Sequence, residues 1–169
     1  MLEKTLDIGL QHMLEQFAKH GFFDLDVKAS GDTKIDNHHL NEDVAISLGE
    51  AFKKALGDKK SIRRFGYFYV PMDDVLVRVV LDISNRPFFI LGGIGNVEAK
   101  RDDYYYGDLD HFFRSFAQGC GLNLQLDVLR GEEKHHIIEA SFKALAKAMD
   151  IATSLDKRSK GVPSTKGVL

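Results

Sequence analysis

The sequence predicts an α+β protein built by internal duplication, with two similar halves that each set a β-sheet under two α-helices. Three observations carry that expectation. Stretches with apolar residues at helical spacing are interleaved with short stretches of period-two alternation. The order helix, strand, helix occurs twice. His38-His39-x-x-Glu42 also returns as His135-His136-x-x-Glu139, 97 residues later, and Leu48/Leu145, Ala51/Ala148 and Ala55/Ala152 keep that spacing. Leu10-Gln11-His12 through Phe17-Ala18 likewise parallels Leu109-Asp110-His111 through Phe116-Ala117, and Asp26-Val27 parallels Asp127-Val128.

Taken in order, residues 8–20 read as a helix, with Leu10, Leu14, Phe17 and Ala18 on one face. Residues 22–29 set Phe23, Leu25, Val27 and Ala29 against Asp24, Asp26 and Lys28, the pattern of a half-buried strand. Ser30-Gly31-Asp32 is a turn, and Asp36 or Asn37 offers an N-cap. Leu40, Val44, Leu48, Ala51, Phe52 and Ala55 then carry a helical stripe to Gly57. Strands are expected over 65–70, 75–84, 87–91 and 122–129, with Asn85-Arg86-Pro87 as a turn. Helices are expected over 108–118 and 135–155. These readings divide the chain into a shortened first half (1–60), a second half (61–155) and an extended arm (156–169). Three strands precede the second half's first helix, whereas only residues 1–7 precede that of the first, so a sheet edge is left to be paired by another segment or subunit.

Composition narrows the function classes. The chain has 169 residues, 44% hydrophobic and 28% charged, enough apolar content to bury a core. Its 23 basic and 25 acidic residues give a formal charge of −2, which argues against nucleic-acid or membrane-surface binding. The lone Cys120 rules out an internal disulfide and a cysteine-based zinc site. Met1-Leu2-Glu3-Lys4 opens no signal-peptide pattern, so a soluble cytoplasmic protein is expected. Histidine stands out: there are seven, four of them in the two doublets.

Neighbouring helical residues point about 100° apart, so one doublet does not easily ligate one metal. Residues three or four apart do share a face, which puts Glu42 beside His38 and His39, and Glu139 beside His135 and His136. That spacing favours two metal positions, each taking one imidazole from each doublet. Imidazole and carboxylate without thiolate suits manganese, iron, zinc or nickel. His12 is a further candidate ligand. A single His-His pair at a helix start is more often a cap or a surface feature; its recurrence with Glu at the same spacing turns the balance toward metal. His111, beside Phe112-Phe113, reads as packing, and His20 as a partner of its helix's C-terminal dipole.

His12-Met13-Leu14, Asp36-x-His38-His39-x-x-Glu42-Asp43, Pro71-Met72-Asp73, Asp82-x-Ser84-x-Arg86-Pro87, His135-His136-x-x-Glu139-Ala140-x-Phe142-Lys143 and Pro163-Ser164-Thr165-Lys166-Gly167 together resemble the imidazoleglycerol-phosphate dehydratase family, in order from Ile8 to Leu169. The resemblance implies a manganese lyase of histidine biosynthesis, removing water from imidazole glycerol phosphate to give imidazole acetol phosphate. It implies two Mn2+ ions per active site, held by His12, His38, His39, Glu42, His135, His136 and Glu139, with Glu42 or Glu139 moving the proton. It implies Arg64, Arg86, Ser164 and Lys166 at the phosphate, Gln16 and Lys143 near the substrate, and a twenty-four-subunit homo-oligomer with metal sites between subunits.

The chain departs from the family pattern in three places. Leu124-Gln125 stands where the family carries Leu-His, and an amide oxygen is a weaker ligand than imidazole, so one metal site is expected to be weak or altered. The family's opening strands with Arg-x-Thr-x-Glu-Thr have no counterpart here, and Gln11 replaces an acidic or amide residue. An alternative of a different class is therefore a divergent, non-catalytic homologue that keeps metal or phosphate binding. A third is a plain α+β domain using zinc for stability.

Overall fold

The computed structural model describes residues 8–29, 38–93 and 104–169. Its elements run α1 (Ile8–Gly21), α2 (His38–Leu56), β1 (Phe65–Met72), β2 (Val75–Asp82), β3 (Phe88–Gly92), α3 (Tyr104–Cys120), β4 (Asn123–Arg130) and α4 (Lys134–Thr153). This is an α+β protein, as the periodicities predict. The proposed turn at 30–32 and the N-cap at Asp36 or Asn37 lie outside the described residues.

The strands form one sheet in the order β1-β2-β4-β3. β1 and β2 are antiparallel across the Asp73-Asp74 turn, where Asp73 takes a left-handed φ of 50°. β2 and β4 are also antiparallel, whereas β3 and β4 are parallel because α3 carries the chain between them. One face is strictly apolar: Val75, Val77, Val79 and Leu81 of β2 and Leu124, Leu126 and Val128 of β4 are all buried. The other face is open. Tyr67, Val80, Gln125 and Ile90 line up across it in register, beside exposed Phe65, Tyr69 and Phe88.

The helices pair across the two halves, α1 with α4 and α2 with α3. α2 and α3 approach closely because each presents glycine. A Cβ on Gly49 would lie 2.6 Å from the Phe116 carbonyl oxygen, and one on Gly119 would lie 2.7 Å from that of Ile46. α4 settles on β1 and β2 through a buried stripe of Ala140, Ala144, Ala148 and Ala152. Aromatic rings fill the space between layers: Phe17, Phe23, Phe52 and Phe116 form one group, with centroids 4.8 Å apart for Phe23 and Phe52. Phe142 joins Phe112 and Phe113 at 4.9 and 5.1 Å.

Two elements differ from the sequence reading. Residues 22–29 do alternate, with Phe23, Leu25, Val27 and Ala29 half-buried against the core and Asp24, Asp26 and Lys28 exposed. They do not form a strand, because among the described residues nothing lies beside them to complete a ladder. The tail is not extended either. It bridges Leu155 to Ile62, returns the Asp156 N–H to the Ser61 carbonyl at 2.7 Å, and lets the Gly161 carbonyl accept from the Ser61 N–H at 2.8 Å.

Candidate active site

The second doublet opens α4, and a cap sets its direction. Glu133 is the N-cap, its carboxylate accepting from the His136 backbone N–H at 2.6 Å. One α4 face then carries His135, Glu139 and Lys143 at four-residue spacing. Packing of α1 on α4 brings His12 to the same place. His135 Nε2 and His12 Nε2 lie 3.3 and 3.6 Å from Glu139 Oε2, and Lys143 Nζ donates to Oε1 at 2.6 Å. Burial by itself would raise the Glu139 pKa; the Lys143 hydrogen bond and the charges of Lys143, His12 and His135 outweigh it and hold the carboxyl below its ordinary value. Glu139 is a nearly buried, ionised acceptor. Gln16 is four residues on from His12 and half-buried.

His136 turns the other way. Its Nε2 lies 3.5 Å from Asp73, and its Nδ1 lies 3.7 Å from Asp74 and 3.5 Å from Glu133. None of these is a hydrogen bond to Nδ1, which is a buried polar atom with no hydrogen-bond partner. The first doublet opens α2 and faces α3: His38 Nδ1 lies 3.8 Å from Asp108, and the His38 and His111 ring centroids are 4.1 Å apart, nearly edge-on. His39 is exposed and Glu42 half-buried.

Sequence reasoning missed Asp73, Asp74, Glu133 and Asp108 as neighbours of these imidazoles. Glu133, three residues before His136, was readable as a cap. Asp108 was readable as the residue one helical turn before His111. The Asp73-Asp74 contact depends on the β1–β2 turn meeting α4, which no local pattern shows. His111, expected to be packing alone, stands against a doublet. His20 is held below its ordinary pKa by burial and by Lys143, Lys147 and Lys19.

Imidazole nitrogens beside the Glu139 carboxylate, and the orphaned Nδ1 of His136 on the other side of α4, are donor types that suit a divalent cation. Among the described residues no group of three or more His, Cys, Asp or Glu is placed to hold an ion by itself. Cys120 adds no nucleophile, because burial pushes its thiol up to about 12.

Two of the expected phosphate residues, Arg64 and Arg86, meet Asp82 at the other end of β2. Arg64, with a left-handed φ of 71°, gives Nε and Nη2 to the two carboxylate oxygens of Asp82 at 2.6 and 3.0 Å, and Nη1 to the Pro163 carbonyl at 2.8 Å. Its fork is thereby committed to holding the arm. Arg86 is 70% exposed, with a long 3.9 Å contact to Asp82, and is open to an anion. Ser164 follows the Pro163 carbonyl that Arg64 holds, and its Oγ accepts from the Lys166 N–H at 3.2 Å. Gln125 is exposed on the open sheet face, away from the helix layer that carries the doublets.

A family model described as imidazoleglycerol-phosphate dehydratase matches residues 8–149. Curated relatives of that name include one from Caldanaerobacter subterraneus subsp. tengcongensis, 54% identical over 94% of this chain and 81% of its own length. Another, from Pelobacter propionicus, is 52% identical over 95% and 82%. Among solved structures, imidazoleglycerol-phosphate dehydratase from Staphylococcus aureus superposes with a TM-score of 0.78 at 34% identity, covering 90% of this chain and 87% of that one. The Pyrococcus furiosus enzyme in complex with (S)-C348 gives 0.76 at 34%, covering 98% and 88%. A match spanning His12, both doublets and the strands between them shows that this chain belongs to the imidazoleglycerol-phosphate dehydratase family.

Proposed function

We propose that this chain is a hydro-lyase that removes water from imidazole glycerol phosphate to give imidazole acetol phosphate in histidine biosynthesis. The observation that carries this reading is the family match running unbroken through both doublets, in a chain whose Glu139 is held ionised beside two of the expected ligands. The reaction takes a proton from carbon, and such a C–H is a poor acid. A base with a lowered pKa needs help from an electron sink, and the imidazole ring is that sink. His12, His38, His39, Glu42, His135, His136 and Glu139 would hold two Mn2+ ions, which supply Lewis acidity to the ring nitrogens. Glu139 is the better placed of the two glutamates to move the proton, since Lys143 and two imidazoles keep it charged at low exposure.

Arg86 and Lys166 take the phosphate, with Ser164 donating from the arm that Arg64 anchors. Gln16 and Lys143 border the substrate. The contacts of the two doublets fall in separate places on one chain, so a second copy brings the missing ligands. The open aromatic sheet face is the surface for self-association into a large homo-oligomer. Among the described residues no helix is long and apolar enough to cross a membrane, in keeping with a substrate that is small and water-soluble.

Gln125 favours the second reading, a homologue that binds metal and phosphate without turnover. One experiment separates them: turnover of imidazole glycerol phosphate with added Mn2+, with metal content measured on the same sample. Two metals per chain with product supports the lyase. One metal or none without product sinks it, and a Gln125→His variant that gains both places the defect at that residue.

A further inference from the structure

The link between β2 and β3 passes over a third strand. β4 lies between the two, and the residues that the link joins, Asp82 and Phe88, both pair with Asn123. Residues 83–87 therefore arch over the start of β4 and span two strand spacings, roughly 10 Å. Both feet of the arch are tied down. The Ile83 N–H donates to the Arg64 carbonyl at 3.1 Å, and the Phe88 N–H to the Leu122 carbonyl at 2.9 Å. Ile83 and Ser84 are buried, whereas Asn85 and Arg86 stand exposed on the crest.

The neighbours of Arg86 on this crest fix its backbone. Ser84 Oγ accepts from the Arg86 N–H at 3.3 Å, and Pro87 biases the residue before it toward extended backbone. Asn85 takes a left-handed φ of 55°, which Asn adopts readily and most side chains resist. It sits on Gly121, between α3 and β4, where a Cβ would lie 2.9 Å from Asn85 Oδ1 and 3.2 Å from Asn85 Cα. The Arg86 guanidinium stays open to a ligand, because both oxygens of the neighbouring Asp82 carboxylate already accept from Arg64.

We propose that Asn85 is a positioning residue for phosphate recognition: its left-handed turn, seated on Gly121, aims Arg86 at the phosphate of the substrate. This rests on the reading of Arg86 as a phosphate-binding group. A guanidinium fork meets two phosphate oxygens in one orientation only, so a turn that relaxes loses a hydrogen bond while the charge remains. The effect falls on affinity and not on the proton transfer.

Inorganic phosphate is the probe, titrated calorimetrically into the full chain. Asn85→Ala, an exposed change, is expected to weaken phosphate about three- to tenfold. Asn85→Gly, which takes the same φ freely, is expected to stay within about twofold of the parent. In an Arg86→Ala background, Asn85→Ala should cost nothing further, since its effect runs through Arg86. With imidazole glycerol phosphate and Mn2+, the KM of Asn85→Ala rises by the same factor at unchanged kcat. The proposal is overturned if Asn85→Ala binds phosphate as the parent does, if Asn85→Gly is as weak as Asn85→Ala, or if the loss persists without Arg86. A parent without phosphate affinity, or an Arg86→Ala variant that keeps it in full, removes Arg86 from phosphate binding and this proposal with it. Absent turnover with these phosphate results intact sinks the hydro-lyase alone and supports the role of Asn85.

Discussion

Glu139 receives Lys143 on one carboxylate oxygen and two imidazoles on the other, so its charge is what orders three neighbours. Glu139→Gln keeps the shape and removes that charge. kcat is expected to fall about a hundredfold or more, with circular dichroism unchanged; a variant with native turnover would remove Glu139 from the mechanism. The i, i+4 line of His135, Glu139 and Lys143 is legible in the sequence because helical spacing alone places those residues together. His12 is legible only as a histidine of suitable type. Its arrival at Glu139 depends on α1 lying against α4, a contact between residues more than a hundred positions apart.

At the scale of elements, the α2–α3 contact rests on absent side chains. In Gly119→Ala the new methyl meets the Ile46 carbonyl at 2.7 Å, backbone against backbone with no flexible group to yield. A loss of about 1–3 kcal/mol is expected, read as a lower urea midpoint at unchanged slope. The arm offers a pH test. The side chain and backbone N–H of Arg158 hold the Asp156 carboxyl well below the usual carboxylate range. A depressed carboxyl stabilises the folded arm above its unfolded value of about 3.9, and that contribution fades as pH falls further. Protection of the Asp156 and Ser61 amides, corrected for intrinsic exchange, should therefore hold from pH 7 to about pH 5 and drop below about pH 4. Constant protection would separate the arm's attachment from this turn.

Over the whole molecule, the sheet buries one face under α3 and α4 and leaves Tyr67, Val80, Gln125 and Ile90 in an exposed row. Monomeric proteins seldom keep a patch of this kind uncovered. The double variant Tyr67→Lys with Ile90→Lys places two charges in that row without touching the buried face. For the proposed homo-oligomer, the native mass is expected to fall toward that of a single chain at unchanged secondary structure; an unchanged mass counts against this face as an interface.

The sequence by itself determined the α+β class, the duplication and the helical faces of both doublets, because each depends on spacing along the chain, and its ordered motifs from Ile8 to Leu169 carried the resemblance to the family. Period and repeat are one-dimensional quantities. It also predicted a strand at residues 22–29, and the alternation is present; whether alternation becomes a strand is decided by neighbours, and among the described residues none lies alongside. Tertiary structure alone decided that α1 pairs with α4, that Asp73 and Asp74 face His136, that His111 stands against His38, and that Arg64 is spent on Asp82 and the arm. Those contacts arise where distant segments pack to bury apolar faces, and the polar groups that meet there carry no local signal of their partners.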